Sequence, residues 1–198
     1  MAIVVSIDAG TTGVRSFAIN EQGQQIALSY KEFTQHFPRP GWVEHDPNEI
    51  WESVQFTLSE LKGSISEPVA AIGITDQRET VLAWSLSSGD PICNAIVWQD
   101  RRTSNRCDEL LETGYLDQIR HTTGLVIDPY FTGTKIEWLI KNGIVELGPD
   151  LAFGTIDSWI IWKLTGGSNY ATDVSNASRT LLYDIRNGSW SSELCQLF

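Results

Sequence analysis

The chain has 198 residues, of which 41% are hydrophobic, a proportion typical of a globular protein with a sizeable core. Its 25 Asp and Glu against 14 Lys and Arg give a formal net charge of −11 at pH 7, which disfavours binding to nucleic acids or anionic membranes because both repel negative charge. The sequence has neither the apolar run of roughly 20 residues that a membrane-spanning helix needs nor a signal peptide, so we expect a cytoplasmic protein.

Three short strands are predicted at the start of the chain. Residues 3–7 are an apolar, β-branched run, residues 14–19 alternate in hydrophobicity, and residues 26–32 follow a second turn. The polar segment at 8–13 contains two glycines and two threonines and predicts a tight turn. The chain is therefore expected to open with an antiparallel three-stranded meander.

A helix is predicted directly after a loop rich in Pro and Gly. Asp46 can cap this helix, Pro47 suits its first position, and Gly63 is a suitable place for it to end. Four apolar residues at helical spacing predict one buried face: Ile50, Val54, Leu58 and Leu61.

Strands and helices alternate through the remaining sequence. Residues 69–75 predict a fully apolar strand, and residues 81–84 are its expected partner across the intervening turn. Further elements are expected as a strand over 94–98, a helix over 101–112, a helix over 134–142, a strand over 152–156 and a helix over 158–164 capped by Asp157. This order predicts an α/β fold with a mixed sheet covered by helices, and the absence of a visible linker indicates a single domain.

The first candidate site is the turn Asp8-Ala9-Gly10-Thr11-Thr12-Gly13. Glycines let backbone N–H groups approach a phosphate, threonine hydroxyls donate to it, and a carboxylate holds Mg²⁺ or its water shell. Arg15 on the following strand could reach the same anion. The alternative interpretation is a plain hairpin turn, in which Asp and Gly are common.

The second candidate site is the pair Arg78-Glu79, directly after a predicted buried strand. Strand ends of such sheets are frequent ligand sites, and a guanidinium beside a carboxylate can hold the hydroxyls of a polyol. The alternative is a solvated surface ion pair, which would contribute little.

Aromatic residues form the third candidate site. Trp98 and Tyr130 could shield the carbon atoms of a small hydroxylated ligand, although ordinary core packing is the alternative for any single ring. The cysteines are Cys93, Cys107 and Cys195. Because their number is odd and no CxxC pair is present, neither a zinc site nor a disulfide framework is predicted, and all three are expected to be buried and reduced.

Eight segments along nearly the whole chain match one known family in order. They are IDAGTT at 7–12, GWVEHDP at 41–47, GITDQRET at 73–80, NAIVWQDRRT at 94–103, TGLVIDPYF at 123–131, GTID at 154–157, WKLTGG at 162–167 and TDVSNASRT at 172–180. With these motifs the chain resembles the FGGY family of carbohydrate kinases, most closely the members that phosphorylate glycerol.

The resemblance implies a ribonuclease H-like domain of the actin and hexokinase type, with ATP and Mg²⁺ as cofactors and glycerol as substrate. It implies that Arg78, Glu79 and Tyr130 hold glycerol against Trp98. The residues implied to face the nucleotide phosphates are Gly10, Thr11, Thr12, Gly13 and Arg15, with Asp8 near the metal ion.

Two departures from the family pattern are visible. Ala9 stands where glutamine is usual, and Gly13 and Val14 stand where serines are usual, so a side-chain hydroxyl is lost at Gly13. The kinases of the family also have a second domain. The resemblance therefore implies that residues 1–198 are a single N-terminal domain, that the catalytic base and the adenine-binding domain lie beyond Phe198, and that this chain alone is inactive.

Two further functions stay open at this point. The substrate could be another polyol or a sugar such as xylulose, or the protein could be a non-catalytic sugar-binding regulator on the same fold. Such a regulator would usually carry a DNA-binding helix-turn-helix, for which we see no room ahead of the first strand. The sequence does not determine the oligomeric state, and a homo-oligomer is compatible with it.

Overall fold

The computed structural model describes residues 2–198. Within these residues the backbone forms ten strands and seven helices, in chain order β1 (Ile3–Ala9), β2 (Gly13–Ile19), β3 (Gln25–Glu32), β4 (Glu44–His45), α1 (Pro47–Ser64), β5 (Val69–Asp76), β6 (Val81–Ser85), β7 (Ala95–Ile96), α2 (Ser104–Glu112), α3 (Leu116–Thr123), α4 (Thr132–Lys141), β8 (Leu151–Thr155), α5 (Ile156–Leu164), α6 (Val174–Ala177), β9 (Tyr183–Asp184), β10 (Ser189–Trp190) and α7 (Ser192–Leu197). They form two compact units, and the expectation of one domain over residues 1–198 stays a prediction.

The first unit consists of the residues up to 35 together with residues 45–77. Its sheet has the strand order β3-β2-β1-β5, in which β1, β2 and β3 pair antiparallel and β5 pairs parallel to β1. The predicted meander is therefore confirmed. Strand β5 lies at the edge of this sheet, and its apolar residues Val69 and Ile72 are 44% and 47% exposed.

Helix α1 covers one face of this sheet. Asp46 caps it as predicted, because its Oδ1 accepts a hydrogen bond of 2.8 Å from the backbone N–H of Asn48. Leu61 packs with Ile3 and other apolar residues of the sheet in the core of the first unit. The predicted end at Gly63 is wrong, since the helix continues to Ser64; one glycine costs a helix only about 1 kcal/mol, which packing readily offsets.

The second unit consists of residues 36–44 and 78–198. Strand β6 lies between β7 and β8 and pairs antiparallel with both, with β4 at the outer edge of the sheet. Strands β9 and β10 form a separate two-stranded ribbon. The core of this unit includes one apolar cluster around β6 and α4 and another around α2, α3 and α7.

The prediction that residues 81–84 pair with the preceding apolar strand is wrong. That strand, β5, pairs with β1, whereas Val81 of β6 lies opposite Thr155 and Ile96 in the other sheet. The four residues between β5 and β6 do not form a hairpin, because Gln77 donates its backbone N–H to the carbonyl of Ala9 and so continues alongside β1.

The remaining predicted elements exist with shifted ends, and the α/β composition is as expected. The strand predicted over 94–98 shortens to two residues, and the helix predicted from 101 begins at Ser104. Asp157 does not cap α5; it lies in the first turn, and its carboxylate accepts hydrogen bonds from the hydroxyls of Thr155 and Thr172.

Candidate functional site

The predicted phosphate turn connects β1 and β2 in the first unit. The backbone N–H of Gly10 donates to the carbonyl of Gly13 over 3.0 Å and closes the turn, and Thr12 is exposed at its tip. Asp8 and Arg15 are directly opposite each other in the antiparallel register. The structure therefore brings a carboxylate, a guanidinium and the glycine-threonine turn to one end of the sheet.

Gly13 is required by the close approach of the neighbouring strand. A Cβ atom at this position would lie 2.6 Å from the backbone oxygen of Lys31 and 2.8 Å from the ring of Tyr30. Such distances are shorter than van der Waals contact, so a serine, usual here in the family, would force a backbone shift. The departure at Gly13 thus has a steric reason within this chain.

Two glutamine side chains, joined by a buried histidine, hold the carbonyl groups of this turn. Gln35 donates its Nε2 to the carbonyl of Thr11 over 2.8 Å, and Gln77 donates its Nε2 to the carbonyl of Gly10 over 3.2 Å. His45, which is fully buried, joins the two amides, with Nε2 2.7 Å from Gln35 Oε1 and Nδ1 3.1 Å from Gln77 Nε2. We call these three residues the His45 brace.

The donors and acceptors of the His45 brace determine the state of its imidazole. Because Gln77 Nε2 can only donate, Nδ1 of His45 accepts, and the proton lies on Nε2, which donates to Gln35. The ring is neutral in this arrangement. The sequence indicated only a structural or surface histidine; the GWVEHDP motif was the signal for a role beside the turn.

Glu79 and Arg78 of the second unit have opposite environments. Glu79 is 2% exposed with a φ of 66°, and its carboxylate Oε1 accepts a 2.6 Å hydrogen bond from Nε of Arg179. Arg78 is exposed and makes no ion pair with any residue in the described range 2–198. The alternative of a surface ion pair between the neighbours is therefore wrong, because the carboxylate pairs with a guanidinium 100 positions later.

The predicted aromatic pair is present beside Glu79. The ring centroids of Trp98 and Tyr130 are 5.3 Å apart, and the guanidinium carbon of Arg179 lies 5.7 Å from the Tyr130 centroid. The backbone N–H of Trp98 donates to the hydroxyl of Thr80 over 3.2 Å, which ties this ring to the turn that carries Glu79. Glu79, Trp98 and Tyr130 are thus brought together, while Arg179 was not identified from the sequence.

A buried lysine donates a hydrogen bond to the backbone of Tyr130. Lys135 is fully buried, and its Nζ donates to the carbonyl of Tyr130 over 2.9 Å. Loss of hydration lowers the pKa of this lysine to about 7, although the negative charges of Asp100 and Glu79 act in the opposite direction. A group that is charged or neutral near pH 7 therefore lies one contact away from the aromatic pair.

The charged residues that follow Trp98 have a structural role. Arg102 donates Nε and Nη2 to the two carboxylate oxygens of Asp100 over 2.9 and 2.8 Å, and Nη2 also lies 2.7 Å from Oε1 of Glu44. Its guanidinium is stacked 3.8 Å from the ring centroid of Trp42 and 4.8 Å from that of Trp138. This ion-pair network around the buried Arg102 fixes the loop from which Trp98 projects.

The cysteines do not contribute a site. All three are free; burial raises the pKa of Cys93 and Cys107 to about 11, so both thiols are protonated and unreactive near neutral pH. Cys195 is exposed, contrary to the expectation of burial. Within residues 2–198 there is no group of three or more His, Cys, Asp or Glu that could hold a metal ion, and no helix long and apolar enough to cross a membrane.

Known proteins resemble the whole of this chain. The profile of the FGGY family of carbohydrate kinases, N-terminal domain, matches residues 3–198. A glycerol kinase of Bacillus velezensis is 50% identical over 201 residues, which covers 98% of this chain and 40% of that protein. A glycerol kinase of Mycoplasmoides gallisepticum is 51% identical over 203 residues, which covers 98% of this chain and 39% of that protein. This chain therefore spans about two fifths of the length of these relatives.

Solved structures agree with these relatives. The glycerol kinase of Plasmodium falciparum, determined with ADP, superposes with a TM-score of 0.91 at 35% identity over all of this chain and 41% of that protein. A xylulose kinase of Lactobacillus acidophilus also reaches a TM-score of 0.91, over 100% of this chain and 40% of that protein. Its identity is only 24%, so this second likeness concerns the fold alone.

Proposed function

Since this chain belongs to the FGGY family of carbohydrate kinases, we propose that it is the N-terminal domain of an ATP-dependent glycerol kinase. The full-length enzyme transfers the γ-phosphoryl group of ATP to a terminal hydroxyl of glycerol and forms glycerol 3-phosphate. The fold is the actin and hexokinase type of α/β ATPase domain that the sequence motifs implied. The two bacterial glycerol kinases are about half identical to this chain, whereas the xylulose kinase is only 24% identical.

The observation that carries the proposal is the grouping of Glu79, Trp98 and Tyr130 in the second unit. A buried carboxylate accepts hydrogen bonds from polyol hydroxyls, and the Trp98 ring shields the carbon atoms on one side. The Tyr130 hydroxyl adds a further polar contact. Arg78, which is exposed and unpaired among residues 2–198, is available to donate to a hydroxyl.

The turn of the first unit suits the phosphates of ATP. In this proposal Thr11, Thr12 and Gly13 donate to phosphate oxygens with the help of Gly10, and the positive charge of Arg15 stabilises the charge on the transferred group. The His45 brace holds two carbonyls of the turn and so keeps them from rotating towards the anion. Phosphoryl transfer depends mainly on such positioning and charge stabilisation.

The donors at the end of β1 fit Mg²⁺. This ion prefers hard oxygen ligands and typically uses one or two carboxylates together with water and substrate phosphates. Asp8 is half-buried beside the threonine turn and supplies a carboxylate of this kind. When bound, the ion would neutralise charge on the phosphates, and Asp8 would hold it or its water shell.

No residue of 1–198 is proposed as the catalytic base. The relatives are about two and a half times as long as this chain, since it covers 40% of their length. We assign the base that accepts the proton of the attacking hydroxyl, and the adenine site, to the part of the full-length protein beyond this chain. Residues 1–198 alone are then expected to phosphorylate nothing.

Steady-state kinetics of the full-length protein test the proposal. Wild-type protein should convert glycerol and ATP to glycerol 3-phosphate and ADP, and should use glycerol better than xylulose. Glu79→Ala should raise the KM for glycerol at least about tenfold, the cost of losing a hydrogen bond to a charged group. The control Glu109→Ala removes an exposed carboxylate of α2 and should leave this KM unchanged. Wild-type protein inactive on glycerol would contradict the proposed function.

A further inference from the structure

Glu79 has a strained backbone that its surroundings maintain. Among residues 2–198, only Glu79 and Leu181 are non-glycine residues with a positive φ, each 66°. Such a conformation costs about 1–3 kcal/mol and persists where the rest of the structure enforces it, commonly at functional sites. The hydroxyl of Thr132 donates to the Glu79 carbonyl over 3.1 Å and fixes the peptide group. Leu181 follows Arg179 by two positions, so one strained residue is a partner in the Glu79–Arg179 contact and the other is close in sequence to the second partner.

The contact between Arg179 and Glu79 uses one oxygen of the carboxylate. Nε of Arg179 donates to Oε1 over 2.6 Å, a short charge-assisted hydrogen bond. No residue in the described part of the chain donates to Oε2. The monodentate geometry therefore fixes the orientation of the carboxylate and leaves its second oxygen for another donor.

Aromatic rings in turn hold the guanidinium of Arg179. Its central carbon lies 4.9 Å from the ring centroid of Phe131 and 5.7 Å from that of Tyr130. These distances are within the range of cation–π attraction, which is stronger for groups that are partly removed from water. The Arg179 side chain is 28% exposed and therefore partly removed from water. Its guanidinium connects the Glu79 carboxylate to Tyr130, the ring that packs on Trp98.

We propose that Arg179 is a positioning residue of the polyol site. It holds Oε1 of Glu79 so that Oε2 accepts a substrate hydroxyl, and it fixes the distance between this carboxylate and the ring of Tyr130. Arg179 itself is not required to touch the substrate. The inference rests on the proposed function, because it concerns how the same site binds glycerol.

Lysine is the informative replacement at this position. Lys keeps the positive charge but has neither the planar face that stacks on the rings nor a donor at the position of Nε. If Arg179 only neutralised the charge of Glu79, Arg179→Lys would preserve its role. If Arg179 positions the carboxylate, Arg179→Lys should impair glycerol binding. The chain offers a matched control in Arg106, whose Nε donates to Glu137 over 2.8 Å. The side chains of Arg106 and Glu137 are 27% and 5% exposed, close to the 28% and 2% of Arg179 and Glu79.

The test compares Arg179→Lys and Arg106→Lys in the full-length protein, with KM and kcat measured separately for glycerol and MgATP and with the melting temperature recorded. We expect Arg179→Lys to lower kcat/KM for glycerol by about 30-fold or more, as for other charge pairs that lose their hydrogen-bond geometry. The KM for MgATP should stay within about twofold, and the two variants should lose similar thermal stability. Methylguanidinium added to Arg179→Ala should restore part of the glycerol activity.

Three outcomes overturn the inference, and they are distinguishable. If wild-type protein is active on glycerol but Arg179→Lys has the glycerol kinetics of Arg106→Lys, Arg179 has no positioning role and the proposed function still holds. If wild-type protein does not phosphorylate glycerol, the proposed function fails and the inference fails with it. Equal losses for glycerol and MgATP would also overturn the inference, because they indicate general damage to the fold.

Discussion

The ammonium group of Lys135 donates to the carbonyl oxygen of Tyr130 over 2.9 Å from a fully buried position. Burial of an ammonium ion is costly, since no protein group replaces all of its hydration. The pKa of Lys135, lowered to about 7 from 10.5, expresses this cost. One contact that supports the proposed polyol site therefore depends on pH.

Stability should rise with pH because of Lys135. Its pKa is lower in the folded than in the unfolded state, so between about pH 7 and pH 10 the unfolded chain binds more protons and the free energy of unfolding increases, by up to about 1.4 kcal/mol per pH unit. Lys135→Met should remove this rise, and Lys62→Met, at an exposed position of α1, should not. Urea denaturation of the full-length protein at about pH 7 and about pH 9 measures the difference; parallel changes in wild type and Lys135→Met would contradict the assignment.

Arg102 should contribute much more to stability than its neighbour Arg101. Arg102→Met leaves the buried carboxylate of Asp100 and the partly buried carboxylate of Glu44 without this cationic partner, which typically costs about 3–5 kcal/mol. Arg101→Met breaks only the exposed pair with Asp128 and should cost less than about 1 kcal/mol. Chemical denaturation of both variants gives the comparison, and equal losses would argue against a scaffold role for the Arg102 cluster.

Replacement of Gly13 should disturb the phosphate turn. The Cβ of Gly13→Ala would meet the backbone oxygen of Lys31 at 2.6 Å, so we expect a loss of about 1–3 kcal/mol and a higher KM for MgATP. Gly63→Ala in α1 is the control, because the added Cβ would meet no atom within 4 Å. Melting temperature and nucleotide kinetics should separate the two; a harmless Gly13→Ala would mean that β3 moves away easily.

The His45 brace should affect nucleotide binding and not glycerol binding. Gln77→Glu replaces an amide that donates to the carbonyl of Gly10 and to Nδ1 of His45 with a carboxylate that only accepts. We expect the KM for MgATP to rise by about tenfold, as for one or two lost buried hydrogen bonds, while the KM for glycerol stays constant. Gln22→Glu makes the same chemical change at an exposed turn and should have no effect. A rise confined to the glycerol KM would contradict the role given to the brace.

Local signals in the sequence were sufficient for much of the fold. The strands of the meander lie next to each other in the chain, so alternation and turn residues identified them. Helix α1 has a cap, a proline and a periodic apolar face, all within its own residues. The pairing of β6 could not be predicted in this way, because its pairing with β7 and β8 depends on packing between segments that are separated in the sequence. The ribbon β9–β10 is too short to leave a periodic pattern.

The candidate site likewise contains residues that the sequence identified and residues that it did not. Glu79, Trp98 and Tyr130 were identified because they lie in segments that resemble the FGGY family, whereas their local patterns alone left a surface ion pair or ordinary core packing open. Arg179 lies in the matching segment TDVSNASRT, but no role was assigned to it, since its role arises from a contact with a residue 100 positions earlier. The burial of Lys135 was equally hidden, because a lysine within a helical segment normally lies on the solvated face.

Strand β5 has no strand on its outer side among residues 2–198, so its outer backbone groups form an open sheet edge beside the exposed side chains of Val69 and Ile72. Uncharged apolar edges of this kind recruit strands from other molecules and are a recognised origin of aggregation. Residues 1–198 produced in isolation are therefore expected to be poorly soluble for a reason unrelated to their chemistry, and a lysine introduced at Ile72 should act as a gatekeeper that keeps such a preparation in solution.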